Sequence, residues 1–255
     1  MRRRRYPILE FDETAKAVIE PGLIIEPIDA PVHCVVCFFQ EVIAKLCDEG
    51  RAREIARQQY DYGAHVLYEL EVDGNRLAMF HPGVCAALSA AVVEDMIACG
   101  CRKFIACGGA GVLDREIAAG HIVVPTSAVR DEGTSYHYLP PGREASASPE
   151  AVAAIETVLK RHGFEYVLGK TWTTDGFYRE TPGKVKLRRA EGCLTVEMEA
   201  AAFFAVAQFR GVPFGQLLYG GDDVSGSEWD DRAWYARGSA REKLFWLAAE
   251  ACLLL

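Results

Sequence analysis

The chain has no internal repeat, no linker separating blocks of different composition, and no apolar run long enough to cross a bilayer as a helix. These absences argue against a solenoid, a string of domains and a helical membrane protein. Its 255 residues are expected to form one large domain. There is no H-E-x-x-H and no paired Cys/His cluster, so no metal site is expected. Positive charge is in short supply. The formal net charge is −8, which argues against a general nucleic-acid-binding surface. The one basic block, residues 2–5, reads as a solvated N-terminus within a partly flexible arm at 1–20, ahead of a single domain at 21–255. No long apolar run follows that block, so neither a signal peptide nor a membrane anchor is expected.

Half of the composition is hydrophobic, enough for a substantial core. The nine cysteines are odd in number, scattered and mostly in apolar surroundings, which suits free thiols in a reducing cytoplasm. Cys34 and Cys37 have CxxC spacing but lie in a β-like run, where residues three apart face opposite sides. They are therefore expected to pack rather than to form a redox or metal pair.

Strand-like and helix-like segments alternate, the pattern of an α/β layered domain. Residues 32–39 read as a core strand and 40–57 as a helix. Residues 66–72 and 77–80 read as a hairpin about Asp73-Gly74-Asn75, and 84–99 as a helix. Residues 103–107 read as a buried strand ending in glycines; 122–124 and 128–129 as two short strands; 140–148 as a loop. Ser148 and Pro149 carry cap and first-turn signals for the next helix. Residues 167–173 and 213–219 read as strands, and 182–189, 199–210 and 231–255 as helices.

The most informative stretch is Thr195-Val196-Glu197-Met198-Glu199-Ala200-Ala201, where an apolar strand turns into an alanine-rich helix. Glu197 and Glu199 are two apart and do not sit side by side on a helix. At such a junction one carboxylate can enter a cleft while the other braces the turn. A carboxylate can accept two hydrogen bonds from a vicinal diol such as that of ribose, and the Met198 thioether offers a soft surface for a sugar ring. Acidic residues favoured by a helix N-terminus explain the same pattern.

This stretch resembles the E-M-E-A/S-A signature of the nucleoside phosphorylase superfamily, which includes uridine phosphorylase, hexameric purine nucleoside phosphorylase and the methylthioadenosine/adenosylhomocysteine nucleosidases. Further segments resemble the family's motifs in order: His81-Pro82-Gly83 with the helix through Glu94, Gly108-Gly109-Ala110-Gly111, Gly120-His121-Ile122-Val123-Val124-Pro125, and Asp175-Gly176-Phe177-Tyr178. The stretch from Ser127 to Ser135 is most similar to uridine phosphorylase. The resemblance runs from about residue 82 to about residue 223.

The resemblance implies an α/β domain with a central mixed, partly barrel-like sheet flanked by helices. It also implies an enzyme that cleaves a nucleoside's N-glycosidic bond without a cofactor, with phosphate as co-substrate, and a homo-oligomer, dimer or hexamer. Carried over residue by residue, Glu199 accepts the ribose diol, Met198 lines the sugar, Glu197 binds or braces, and Phe177 stacks on the base. Asp222, with Asp223 next to it, matches an Asp that protonates a purine, with Gly221 in place of the usual Ser. That Asp points to a purine; the Ser127–Ser135 stretch points to uridine.

The chain departs from the family at phosphate. Ile28-Asp29-Ala30-Pro31-Val32 stands where G-D-P-x-R is usual, Ala106 where an Arg is usual, and Gly109 where Ser or Thr is usual. The expectation is weak or unconventional phosphate binding, from the backbone N–H groups of Gly108 to Gly111 and an arginine from elsewhere: Arg51, Arg53, Arg179 or a neighbouring subunit's. The nucleosidases imply a second reaction, hydrolysis, with Glu41 as the base that activates water; its other reading is an exposed first-turn acid. A binding protein with decayed catalysis is a third reading. His137 is read as an ordinary loop histidine.

Overall fold

The computed structural model describes residues 3–61, 63–234 and 238–255. Strands β1 (His33–Cys37), β2 (Ala52–Tyr60), β3 (Gly63–Val72), β4 (Asn75–Phe80), β5 (Lys103–Val112), β6 (Ile122–Asp131), β7 (Glu144–Ser146), β8 (Tyr166–Thr174), β9 (Cys193–Glu197) and β10 (Phe214–Asp223) form one mixed sheet. The helices are α1 (Gln40–Asp48), α2 (Ala86–Cys99), α3 (Pro149–Arg161), α4 (Pro182–Ala190), α5 (Ala200–Arg210) and α6 (Gly238–Leu253).

The order β10-β6-β8-β9-β5 closes on itself because β10 also pairs with β5, which makes a five-stranded barrel. Beyond β5 the sheet continues as β1-β4-β3-β2. The barrel mixes parallel pairs (β10 with β5, β6 with β8, β8 with β9) and antiparallel ones (β10 with β6, β5 with β9). This is the α/β, partly barrel-like architecture that the motifs implied.

Strand alternation divides the core between two faces. Cys34 and Val36 of β1 join Phe104, Phe203 and Phe214 beneath α2 and α5. Phe214 stacks on Phe104 and Phe203, with ring centroids 5.7 and 4.9 Å apart. Val35 and Cys37 face the other way, among residues of α1, α3 and α6. The CxxC pair is thus split across the sheet, and all nine cysteines are free thiols. Burying each such aromatic side chain contributes about 1.5–3 kcal/mol relative to leaving it in water. No helix among the described residues is long and apolar enough to span a membrane. Residues 3–20 run along the surface with most side chains exposed, and Glu20 accepts a hydrogen bond from Arg210 at 3.3 Å.

Several elements differ from the sequence reading. The first helix ends at Asp48, and Gly50 turns the chain with φ +68°, as a left-handed glycine does after a helix. Residues 52–60 then form β2, a charged edge strand paired with β3, not a continued helix. β5 does not stop at Cys107 but runs through its glycines, because β10 pairs along it. β6 is one strand, not two, and β7 interrupts the expected 140–148 loop. β10 runs on to Asp223, so Asp222 and Asp223 lie in the strand. The Ser148 hydroxyl does not cap α3; it accepts the N–H of Phe214 at 2.9 Å and so anchors the start of β10. The last helix begins at Gly238, and part of its expected extent, residues 235–237, lies outside the described residues.

Candidate active site

A cavity of about 860 Å³ opens where β5, β9 and β10 end. Glu197, Met198, Glu199, Gly108, Gly109, Phe177 and Asp222 all line it. Seven residues chosen along the sequence are therefore brought to one place.

The two glutamates divide their work. Glu197 is buried at the end of β9, and its Oε2 accepts the N–H groups of Glu199 (2.7 Å) and Ala200 (2.6 Å). Its Oε1 accepts the Thr173 hydroxyl at 2.6 Å. The opening donors of α5 would otherwise be orphaned in a buried setting, so Glu197 is the brace. Replacing it with alanine strands two backbone donors. Glu197→Ala should cost roughly 2–4 kcal/mol of stability. Urea unfolding measures this, and a loss below about 1 kcal/mol would show the brace to be redundant.

Glu199 is bound differently. Its Oε1 accepts the N–H of Cys85 at 2.6 Å, while Oε2 makes no hydrogen bond among the described residues. Cys85 has φ +79°, a left-handed conformation that is costly for a side chain with a Cβ, and this strained turn presents its amide to Glu199. Burial, then the nearby Glu197 carboxylate, push the Glu199 carboxyl up to about 8. A carboxyl whose folded pKa is raised contributes stability that is full below its ordinary value of 4.5 and lost as pH rises through about 8. The ligand-free protein should lose stability over that range relative to Glu199→Gln, whose amide does not ionise. Parallel stability curves for the two proteins across that range would contradict this environment for Glu199.

Phe177 is half-exposed at the cavity, its ring 3.9 Å from that of Tyr178, and is not core packing. The two aspartates at the end of β10 part company. Asp222 faces the cavity, and its Oδ2 accepts the Trp229 indole N–H at 2.7 Å. Asp223 turns away, bonded to Arg232 at 2.6 Å and to the N–H of Ser225 at 2.7 Å. Burial works against its charge, but the Ser225 and Arg232 bonds outweigh that and hold its carboxyl below the usual range.

Other expected residues do not reach the cavity. Glu41 stands at the start of α1 with its side chain 49% exposed, and accepts a hydrogen bond from Arg241 at 2.8 Å. Arg179 is exposed in the short turn Phe177–Arg179. Arg51 lies over Trp246, and Arg53 bonds Glu69 at 2.8 Å. His137 is exposed in the turn Thr134–His137. Ala106 is fully buried in the core.

Glu180, Tyr219, Trp229, Trp234 and Arg241, none of them expected from the sequence, also line the cavity. Burial, then the neighbouring Asp222, push the Glu180 carboxyl up to about 7. Glu180 follows the aromatic pair Phe177-Tyr178, so its nearness to that motif was the available signal; Arg241 sits in a helix with no motif.

Comparison with known proteins bears on this cavity. A family model described as the phosphorylase superfamily matches residues 32–246. Guanosine phosphorylase of Halorubrum lacusprofundi is 29% identical over 187 residues, covering 73% of this chain and 75% of that one. Uridine phosphorylase of Thermococcus kodakarensis is 30% identical over 186 residues, covering 68% and 65%. The chain likewise spans 65% of the uridine phosphorylase of Escherichia coli, at 26% identity over 164 residues. In fold the chain is similar to the crystal structure of purine nucleoside phosphorylase from Toxoplasma gondii in complex with immucillin-H. The TM-score is 0.76 at 19% identity, over 88% of this chain and 91% of that one.

Proposed function

The chain belongs to the phosphorylase superfamily, and we propose from that premise that it cleaves the N-glycosidic bond of a purine nucleoside with phosphate, giving free base and ribose 1-phosphate. It is an enzyme of the pentosyl-transferring kind. The observation that carries the proposal is one cavity holding both Glu199, whose Oε2 makes no hydrogen bond among the described residues, and Asp222.

In this reading Glu199 accepts the ribose 2′- and 3′-hydroxyl hydrogen bonds, with Met198 against the sugar. A phosphate oxygen forms its bond to C1′ as the C1′–N bond breaks, and the bonding pair leaves on the base. The ribose passes through an oxocarbenium-like state, which Glu199 favours electrostatically in its ionised form. Asp222, in its protonated form, donates a hydrogen bond or its proton to N7 as negative charge develops on the base. Phe177 offers a stacking face. No cofactor is needed for this chemistry. We place the enzyme in the cytoplasm as a homo-oligomer, dimer or hexamer, in keeping with its family and its free thiols.

Hydrolysis by a Glu41-activated water finds less support, because Glu41 is held by Arg241 outside the cavity lining. A panel of guanosine, inosine, adenosine and uridine, each with phosphate and scored for free base, tests the choice of base. A purine nucleoside should have the highest kcat/KM; uridine as best substrate would overturn the purine assignment, and no turnover with retained binding would mark a decayed enzyme.

A further inference from the structure

Phosphate is an anion at neutral pH, and the apolar walls of the cavity at Phe38, Phe39, Val84 and Val196 give it no electrostatic support. Among the described residues that line the cavity, Arg241 is the only lysine or arginine. We propose that Arg241, on α6, is the residue that holds phosphate, set in place by Tyr219 and Glu41 beside the glycines of β5. This rests on the phosphorolytic reading above.

The guanidinium is built into position. Its Nε donates to the Tyr219 hydroxyl at 3.1 Å and its Nη1 donates to Glu41 Oε1 at 2.8 Å. The rings of Phe39 and Trp234 lie 5.5 and 5.4 Å from it, and the side chain is only 15% exposed. A guanidinium has five N–H groups, and these two bonds use two of them. Nη2 makes no hydrogen bond among the described residues, which leaves an edge able to grip an oxyanion.

The glycine run completes the arrangement. Tyr219 pairs with Gly109 across β10 and β5, and a Cβ built on Gly109 would meet the Tyr219 ring and hydroxyl at 3.0 Å. A side chain at position 109 would thus push aside the hydroxyl that Arg241 leans on. The bare backbone there and the guanidinium on Tyr219 belong to one arrangement: Tyr219 occupies the space that a longer residue 109 would need.

The test titrates phosphate at saturating nucleoside for wild type, Arg241→Gln and Tyr219→Phe, and follows the phosphate-induced rise in melting temperature of each. In Arg241→Gln the phosphate KM should rise more than tenfold and the thermal shift should vanish, while the nucleoside KM changes far less. Tyr219→Phe, which removes one oxygen, should raise the phosphate KM severalfold, and it decides the matter should Arg241→Gln fail to fold. An unchanged phosphate KM and thermal shift in a folded variant, with wild type phosphate-dependent, overturns this role and leaves the phosphorolytic reading standing. Wild-type base release that ignores phosphate, with no thermal shift, overturns both.

Discussion

Glu199→Gln is expected to lower turnover of every nucleoside substrate by well over tenfold while the protein stays folded. The mutation keeps the shape of the side chain and an oxygen able to accept the Cys85 N–H, now at 2.6 Å. What it removes is the ability of that carboxyl to ionise and so to accept both ribose hydroxyls through the oxygen that faces the cavity. Losing an ionisable acceptor that serves a diol in a buried site costs roughly 2–4 kcal/mol of transition-state stabilisation. The effect should fall on kcat/KM for purine and pyrimidine nucleosides alike, because the ribose is common to both. Steady-state kinetics with an unfolding curve for the variant check it. Near-normal kinetics would remove Glu199 from the sugar site.

Asp222→Asn should reduce turnover of purine nucleosides by about 10²–10⁴-fold, the usual contribution of a positioned general acid. Nucleosides with the poorest leaving bases should suffer most, since they depend most on help at departure. Asp223 makes the control. It is tied to Arg232 and Ser225 away from the cavity, so Asp223→Asn should lower stability with a much smaller effect on kcat. Equal catalytic losses from the two variants, or none from either, would show the acid to be misplaced.

The parts of the site that could be read from the sequence are those carried by short stretches of chain. Glu197-Met198-Glu199 marks a strand-to-helix junction, and its apolar-to-alanine transition is visible in the residues alone. Which glutamate braces and which faces the cavity was not visible, because the brace is completed by Thr173 from β8. Likewise, Asp222 and Asp223 are indistinguishable in sequence; their difference comes from Trp229 and Arg232 folding back on them.

The fold errors have a similar origin. Glycines after Cys107 look like the end of a strand, yet barrel closure gives them a partner in β10 and keeps them extended. The 40–57 segment carries apolar residues at helix-compatible spacing, but Gly50 breaks it and pairing with β3 captures the remainder as an edge strand. Arg241 was beyond reach for a third reason. Its place in the cavity depends on how α6 packs across β1 and β5, which no local pattern encodes.

Product analysis tests the central claim most directly. Purified protein is given a purine nucleoside with and without phosphate, and base, ribose 1-phosphate and free ribose are quantified together. Phosphorolysis in this cavity predicts base and ribose 1-phosphate in equal amounts, at a rate that rises with phosphate and is negligible without it. Base released at the same rate in the absence of phosphate, accompanied by free ribose, would contradict it.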